Sequence, residues 1–210
     1  GDPERTCTLA CNPSIGGSAK EQLVREIDAL GGEMARVADA TSLHARFLNE
    51  SKGPSVRALR ALADKPGYVR AARAVLARTP NLTVVPGMAE GLDVAAAAVR
   101  GVVLGDGRTL RAPNVVLATG TFLGGKTFRG DEVRAEGRFG EATALGLSAS
   151  LAGLGFPLAR LKTGTPPRID RASVDLGAMS EQRPSALPLS FSYLSTGAFA
   201  GPQLSCWVVL

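Results

Sequence analysis

The sequence predicts an α/β fold in two parts, residues 1–123 and 124–210, and three observations carry that prediction. Apolar residues recur at helical spacing from Leu23 to Leu76, with capping and breaking residues between the runs. Between 81 and 120 the period shortens to β-branched runs around an Asp-Gly pair, the strongest short hairpin signal. From Gly124 onward Gly, Arg and Pro dominate, which marks a second, α+β lobe.

Each element follows in order. Ser18 and Glu21 have capping-box spacing, Leu23, Ile27 and Leu30 recur at helical intervals, and Gly31-Gly32 suits a C-terminal cap; a helix is expected over about 18–30. Pro54 stands at a first helical position with Val56, Leu59 and Leu62 on one side, so a second helix is expected there. A third carries Val69, Ala72 and Leu76 beyond Pro66-Gly67. "NLTVV" (81–85) reads as a strand, "VRGVVLGDGRTLRA" as a hairpin, and "NVVLATG" (114–120) as a strand buried on both faces, as in a parallel or mixed sheet. The second lobe is expected to hold a helix near 143–154 and a strand near 158–162. The closing "CWVVL" reads as a strand needing partners on both sides; with a start at Gly1 rather than Met, it makes the chain an expected internal piece of something longer.

Composition narrows the classes. Apolar residues at 45% and charged residues at 20% suit a globular chain rather than a disordered or fibrous one. A net charge of +5 with pI near 9.5 mildly favours a polyanionic partner such as RNA. Cys7, Cys11 and Cys206 form no CxxC pair, and His44 is the sole histidine, which argues against a zinc site or a Ser-His triad. Reduced thiols suit a cytoplasmic protein, and no apolar run approaches the ~20 residues that cross a bilayer.

Four stretches carry candidate chemistry. Cys11 in "CNPSIGG" precedes a glycine pair and an expected helix, whose N-terminus would favour the thiolate; a buried structural cysteine on a turn is the alternative. Gly16 and Gly17 let a flat or phosphorylated ligand approach the backbone. In "NESKGPSVRALR", Asn49, Ser51 and Lys52 offer donors beside Gly53, and Arg57 and Arg60 are three apart, on about one helical face; a solvated basic helix start is the alternative. "VVLATGTFLGG" ends in Thr119-Gly120-Thr121, bare backbone at the carboxyl edge of a sheet, where open α/β folds bind ligands. "GRFGEATALGLS" and "ARLKTGTPPRID" set Arg138, Lys162, Thr163, Thr165 and Arg168 in loops stiffened by Gly and Pro, suited to anions or simply to rigid turns. No G-x-G-x-x-G follows a strand.

Together "CNPSIGG", "LVREIDALGG", "FLNESKGPSVRALRALAD", "PNLTVV", "VVLATGTFLGGK", "GLGFPLARLKTGTPPRID" and, more loosely, "FSYLS" and "CWVVL" resemble one family, in its order, across nearly the whole chain. It is the FAD-dependent large subunit of the tRNA uridine 5-carboxymethylaminomethyl modification enzyme, also called glucose-inhibited division protein A. The resemblance implies an incomplete flavoprotein-type, FAD-binding Rossmann-like domain over 1–123 and an inserted NAD(H)- or substrate-binding lobe over 124–210. It implies FAD as cofactor, NADH and methylenetetrahydrofolate as co-substrates, tRNA as substrate, a GTPase partner, a homodimer and no membrane association.

By the same resemblance Cys11 is the candidate reactive thiol or a flavin neighbour. Asn12, Pro13, Ile15, Gly16 and Gly17 border the flavin with Ser51, Lys52, Gly53 and Pro54. Ala89 offers backbone to the adenine, Thr119, Gly120 and Thr121 lie near the cofactor, and Ala144 stands where the family carries a serine. Arg57, Arg60, Arg138, Lys162 and Arg168 face NAD(H) or substrate. Two departures stand out: Glu21-Gln22 in place of the family's Gly-His, and Glu141-Ala142-Thr143-Ala144 in place of Asp-Pro-Pro-Ser. The family's phosphate loop, a second cysteine motif and a helical tRNA- and partner-binding region are expected outside the chain, so the piece alone is expected to be inactive. Two other readings remain open: a generic FAD/NAD(P)H oxidoreductase fragment, and a non-catalytic basic RNA-binding fragment.

Overall fold

A computed structural model describes residues 1–195, 199 and 201–209. The chain forms two compact units. Arg5–Val84 with Thr163–Leu210 make one, called here the cysteine unit; Gly1–Glu4 with Val85–Lys162 make the other, the hairpin unit. Neither boundary falls at 123/124, where the composition shifts toward Gly, Arg and Pro.

The cysteine unit runs β1 (Ser14–Gly16), α1 (Glu21–Ala29), α2 (Met34–Thr41), β2 (Ser42–Leu48), β3 (Ala58–Ala63) and α3 (Lys65–Arg78). Its sheet is antiparallel in the order β1-β3-β2, with Gly16 opposite Arg60 and Arg60 opposite Arg46. The α1 helix ends as expected: Gly31 takes φ +84°, Gly32 N–H reaches Ile27 O at 2.8 Å and Gly31 N–H reaches Asp28 O at 2.9 Å. That is the paired bonding of a Schellman cap.

Its start and its buried face differ from expectation. Lys20 is the N-cap and makes no side-chain cap bond, while Ser18 Oγ accepts from Asn49 Nδ2 at 2.8 Å. The inward residues are Glu21, Val24 and Asp28; Leu23 and Ile27 are exposed and Leu30 is 89% exposed. Two carboxylates turn inward because backbone donors await them. Glu21 Oε2 accepts from Leu59 N at 2.5 Å and Asp28 Oδ2 from Tyr193 N at 2.8 Å.

The helix expected from Pro54 is a strand instead. Alanine and leucine at 58, 59, 61, 62 and 63 favour a helix locally, but β3 sits between two partners, and pairing on both edges outweighs local propensity. The third expected helix is α3, with Pro66 in its first turn, Tyr68 buried, and Ala72 and Val75 packed on the core. That core also holds Ile15, Val24, Val37, Leu59 and Phe191.

In the hairpin unit β4 (Ala89–Ala95), β5 (Ala98–Leu104) and β6 (Thr109–Arg111) form an antiparallel sheet. The β5–β6 turn is the expected one: Gly107 has φ +88° and Asp106 accepts from Arg108 N at 3.1 Å and Nε at 2.8 Å. Two short ladders follow, β7 (Thr127–Arg129) with β8 (Glu132–Arg134) and β9 (Glu136–Arg138) with β10 (Glu141–Ala142). The expected late helix is α4 (Leu145–Gly153), which buries Leu147 and Leu151. Glu90 Oε2 accepts from Gly146 N at 3.0 Å, placing a carboxylate at that helix's positive end.

Three expected strands, 81–85, 114–120 and 158–162, are not strands; no described ladder pairs them, and apolar runs of this kind become strands only where a partner takes up their backbone groups. Returning to the cysteine unit, β11 (Ser180–Gln182) pairs antiparallel with β12 (Cys206–Val208). Among the described residues the closing strand has a ladder on one side, not two, and Leu210 lies outside them.

Candidate functional site

Cys11 is placed by its neighbours on both sides. Asn12 Oδ1 accepts from Ser14 N at 2.9 Å, an Asx turn, and Pro13 O accepts from Ala63 N at 2.9 Å, anchoring the turn to the end of β3. The loop from Thr163 then wraps the sulfur. Thr165 Oγ1 donates to Cys11 Sγ across 3.6 Å, Thr163 Oγ1 lies 3.8 Å away, and the thiol donates to Gly164 O at 2.6 Å. Arg168 fixes the loop by donating to Cys11 O at 3.0 Å and Pro166 O at 2.9 Å.

These contacts hold the thiol below its ordinary pKa. The Thr165 hydroxyl is the largest cause; burial opposes it, and the Thr163 hydroxyl with the Lys65 and Arg168 charges adds to the lowering. The expected helix dipole is not the cause, because β1 intervenes and α1 begins only at Glu21. Cys7 and Cys206 go the other way, both raised first by burial. Sequence reasoning missed Lys65. It opens α3, and burial, then the Arg168 charge, lowers its ammonium pKa. An Asp-Lys-Pro helix start was the available signal.

The 11–17 and 49–60 stretches come together through the β1–β3 ladder and the Asn49–Ser18 bond. Asn49 sits at φ +57° and also donates to Val56 O at 3.1 Å, so its amide is spent on the loop. Gly53, at φ +98°, has no atom within 4 Å of where a Cβ would stand, and Ser51, Lys52 and Pro54 around it are exposed. That stretch of backbone is open and free of side-chain cover at Gly53, while Asn12 and Pro13 lie at the other end of β3, beside Ala63. Ile15 faces the core, and Gly16 has a packing reason: a Cβ there would stand 2.5 Å from Leu59 O and 2.6 Å from the Phe191 ring. Gly17 N–H is bonded to Leu59 O at 2.7 Å. Arg57 and Arg60 do not share a helical face; Arg57 stacks over Phe47 at 4.8 Å and Arg60 lies in β3.

The remaining expected residues belong to the hairpin unit. Ala89 opens β4, and Gly120, at φ +54°, is exposed with no atom near its would-be Cβ, between Thr119 and Thr121. Ala144 is buried and caps α4, its N–H bonded to Phe122 O at 2.8 Å. Arg138 grips Glu141 at 2.6 and 2.9 Å and lies over Phe122 at 5.1 Å, while Lys162 is exposed. Among the described residues no group of His, Cys, Asp or Glu could hold a metal, and no helix is long and apolar enough to cross a membrane.

Fold and site together define a mixed α/β segment with an activated thiol beside a small antiparallel sheet and open glycine-bearing loops. The chain belongs to the family described as Glucose inhibited division protein A, whose family model matches residues 2–209. It superposes on GidA of Aquifex aeolicus with a TM-score of 0.90 at 36% identity, covering 98% of this chain and 35% of that one. It is 50% identical over 179 residues to the tRNA uridine 5-carboxymethylaminomethyl modification enzyme MnmG of Myxococcus xanthus, covering 85% of this chain and 29% of the relative. The relative of the same name from Acholeplasma laidlawii is 48% identical, with 97% and 33% covered. The chain thus spans about a third of the length of these relatives.

Proposed function

We propose that this chain is the thiol-bearing, flavin-bordering part of an FAD-dependent enzyme that modifies carbon 5 of the wobble uridine of tRNA in the cytoplasm. A GTPase partner, methylenetetrahydrofolate as carbon donor, NADH and a homodimer belong to the same reading. The observation that carries it is the Cys11 sulfur, lowered in pKa and bonded by Thr163 and Thr165 while Arg168 holds the Cys11 carbonyl, in a chain whose relatives bear the name of that activity.

Asn12, Pro13 and Ser51 to Pro54 would hold the isoalloxazine, with the backbone of Ile15 to Gly17 behind them. Ala89 and Thr119 to Thr121, with Ala144 capping the helix beyond, would serve the rest of the cofactor. Bound FAD would supply two-electron redox chemistry beside these residues. Cys11 would add through sulfur to carbon 6 of the uracil ring, which makes carbon 5 nucleophilic toward the one-carbon unit; loss of the carbon 5 proton then expels the thiolate. Arg57, Arg60, Arg138, Lys162 and Arg168 would face the anionic substrate and NADH.

In the full-length protein, Cys11→Ser should abolish wobble-uridine modification while the visible FAD absorbance stays. Unchanged modification would refute the nucleophilic role.

A further inference from the structure

Cys11 and Lys65 stand at the same end of the β1–β3 ladder. Ser14 is opposite Leu62 in that antiparallel register, and Pro13 O accepts from Ala63 N at 2.9 Å, which carries the pairing one step past β1. Cys11 lies two residues beyond Pro13 on one chain segment and Lys65 two residues beyond Ala63 on the other. The register thus sets the thiol across from the first residue of α3.

Lys65 is half-buried, yet among the described residues its ammonium has no ion pair and no hydrogen bond. The adjacent carboxylate, Asp64, lies 3.9 Å from Arg70 instead. The second cation near the thiol is already committed, since Arg168 spends Nη1 on Pro166 O and Nη2 on Cys11 O. Lys65 is left free to follow the sulfur. The thiol gives it a reason to: the bond to Gly164 O at 2.6 Å needs the thiol proton, so ionisation removes that contact and leaves a thiolate facing a carbonyl oxygen. The Thr163 and Thr165 hydroxyls can still donate to the sulfur but bring no net charge. The balancing charge has to come from a cation.

We infer that Lys65 is a positioning residue for Cys11, the counter-charge that steadies its thiolate once the thiol proton has passed to solvent. The charged groups acting on Cys11 are Lys65 from α3 and Arg168 from the loop, and those acting on Lys65 are Arg168 and Cys11 in return. Addition to carbon 6 of uracil makes the sulfur a neutral thioether and passes its charge into the ring, so the lysine acts before the carbon–sulfur bond forms. Only this last step rests on the nucleophilic role proposed above.

Alkylation of Cys11 by iodoacetamide, a neutral reagent, followed across pH by peptide mass spectrometry in the full-length protein, tests the pairing. Lys65→Met should move the Cys11 profile to higher pH and slow alkylation at pH 7 about threefold or more, and Lys65→Arg should restore both. Wild-type alkylation at pH 7 should slow as salt rises to the molar range, and Lys65→Met should lose most of that slowing. The uridine-modification kcat of Lys65→Met should fall with the KM for tRNA unchanged within about twofold, and recover as pH rises, which a lysine of merely structural value would not give. A Lys65→Met profile that superposes on the wild type overturns the pairing, and so does a shift that Lys65→Arg shares in full. Should Lys65→Met not fold, Lys65→Gln carries the same measurements. Modification that survives Cys11→Ser beside an alkylation profile that shifts in Lys65→Met removes the nucleophilic role and upholds the pairing; modification that needs Cys11 beside a profile indifferent to Lys65 does the reverse.

Discussion

Single residues decide the chemistry of the thiol. The Gly164 carbonyl bonds only the protonated sulfur, while the Thr165 hydroxyl bonds the thiolate, so the loop pulls Cys11 both ways and the hydroxyl prevails. A thiol with a lowered pKa carries more thiolate at neutral pH than a free cysteine, whose pKa is about 8.5. Cys11 should therefore be alkylated first at pH 7, ahead of Cys7 and Cys206, which burial raises. Thr165→Val should move the Cys11 alkylation profile to higher pH and Thr165→Ser should restore it; a profile indifferent to both would remove the hydroxyl from the account. The glycines separate in the same way. Gly16→Ala forces a Cβ into Leu59 O and Phe191 at φ +75°, and should cost about 3 kcal/mol or more in urea unfolding. Gly53→Ala meets only its positive φ and should cost about 1–2 kcal/mol. Equal losses at the two sites would contradict the packing described for Gly16.

Among elements, the segment 189–195 is the one most dependent on the rest. Asp39 in α2 accepts from Phe191 N at 2.8 Å, Ser192 N at 2.9 Å and Ser195 Oγ at 2.6 Å, and Asp28 in α1 takes Tyr193 N. These bonds seat Phe191, 0% exposed, against the core. Asp39→Asn keeps the shape but has one acceptor oxygen for three donors, so about 2–4 kcal/mol of unfolding free energy should be lost. A change under about 0.5 kcal/mol would mean the carboxylate does not hold the segment. Such long-range bonds also explain what the sequence could and could not disclose. The helices α1, α3 and α4 and the Asp106-Gly107 hairpin were legible because their signals are local: periodicity, a glycine cap, a turn pair. The inward face of α1 was not, since Glu21 and Asp28 look solvent-facing until Leu59 and Tyr193 supply their donors. Nor was β3, whose alanines spell helix and whose second strand neighbour, β1, is distant in sequence. At the site, Cys11, Thr163, Thr165 and Arg168 could be picked out as loop residues, but only the fold brings them together across about 150 positions, and Lys65 with them.

At the scale of the molecule, the hairpin unit displays apolar side chains where its sequence promised burial. The run 114–120 reads as a strand covered on both faces, yet it has no described ladder partner, and Val116 is 90% exposed. Leu154, Phe156, Leu158 and Leu161, past the end of α4, are exposed as well, Leu161 at 97%. Exposed apolar surface on that scale binds hydrophobic dyes and promotes association, and a net charge of +5 supplies limited repulsion against it. Val116→Asp and Leu161→Asp in the 210-residue chain should therefore lower anilinonaphthalene sulfonate fluorescence and self-association in sedimentation. Neither should shift the urea midpoint by more than about 0.5 kcal/mol, the range for surface substitutions. A loss of several kcal/mol on either substitution would place that side chain inside a packed layer, because a carboxylate costs that much only where water cannot reach it.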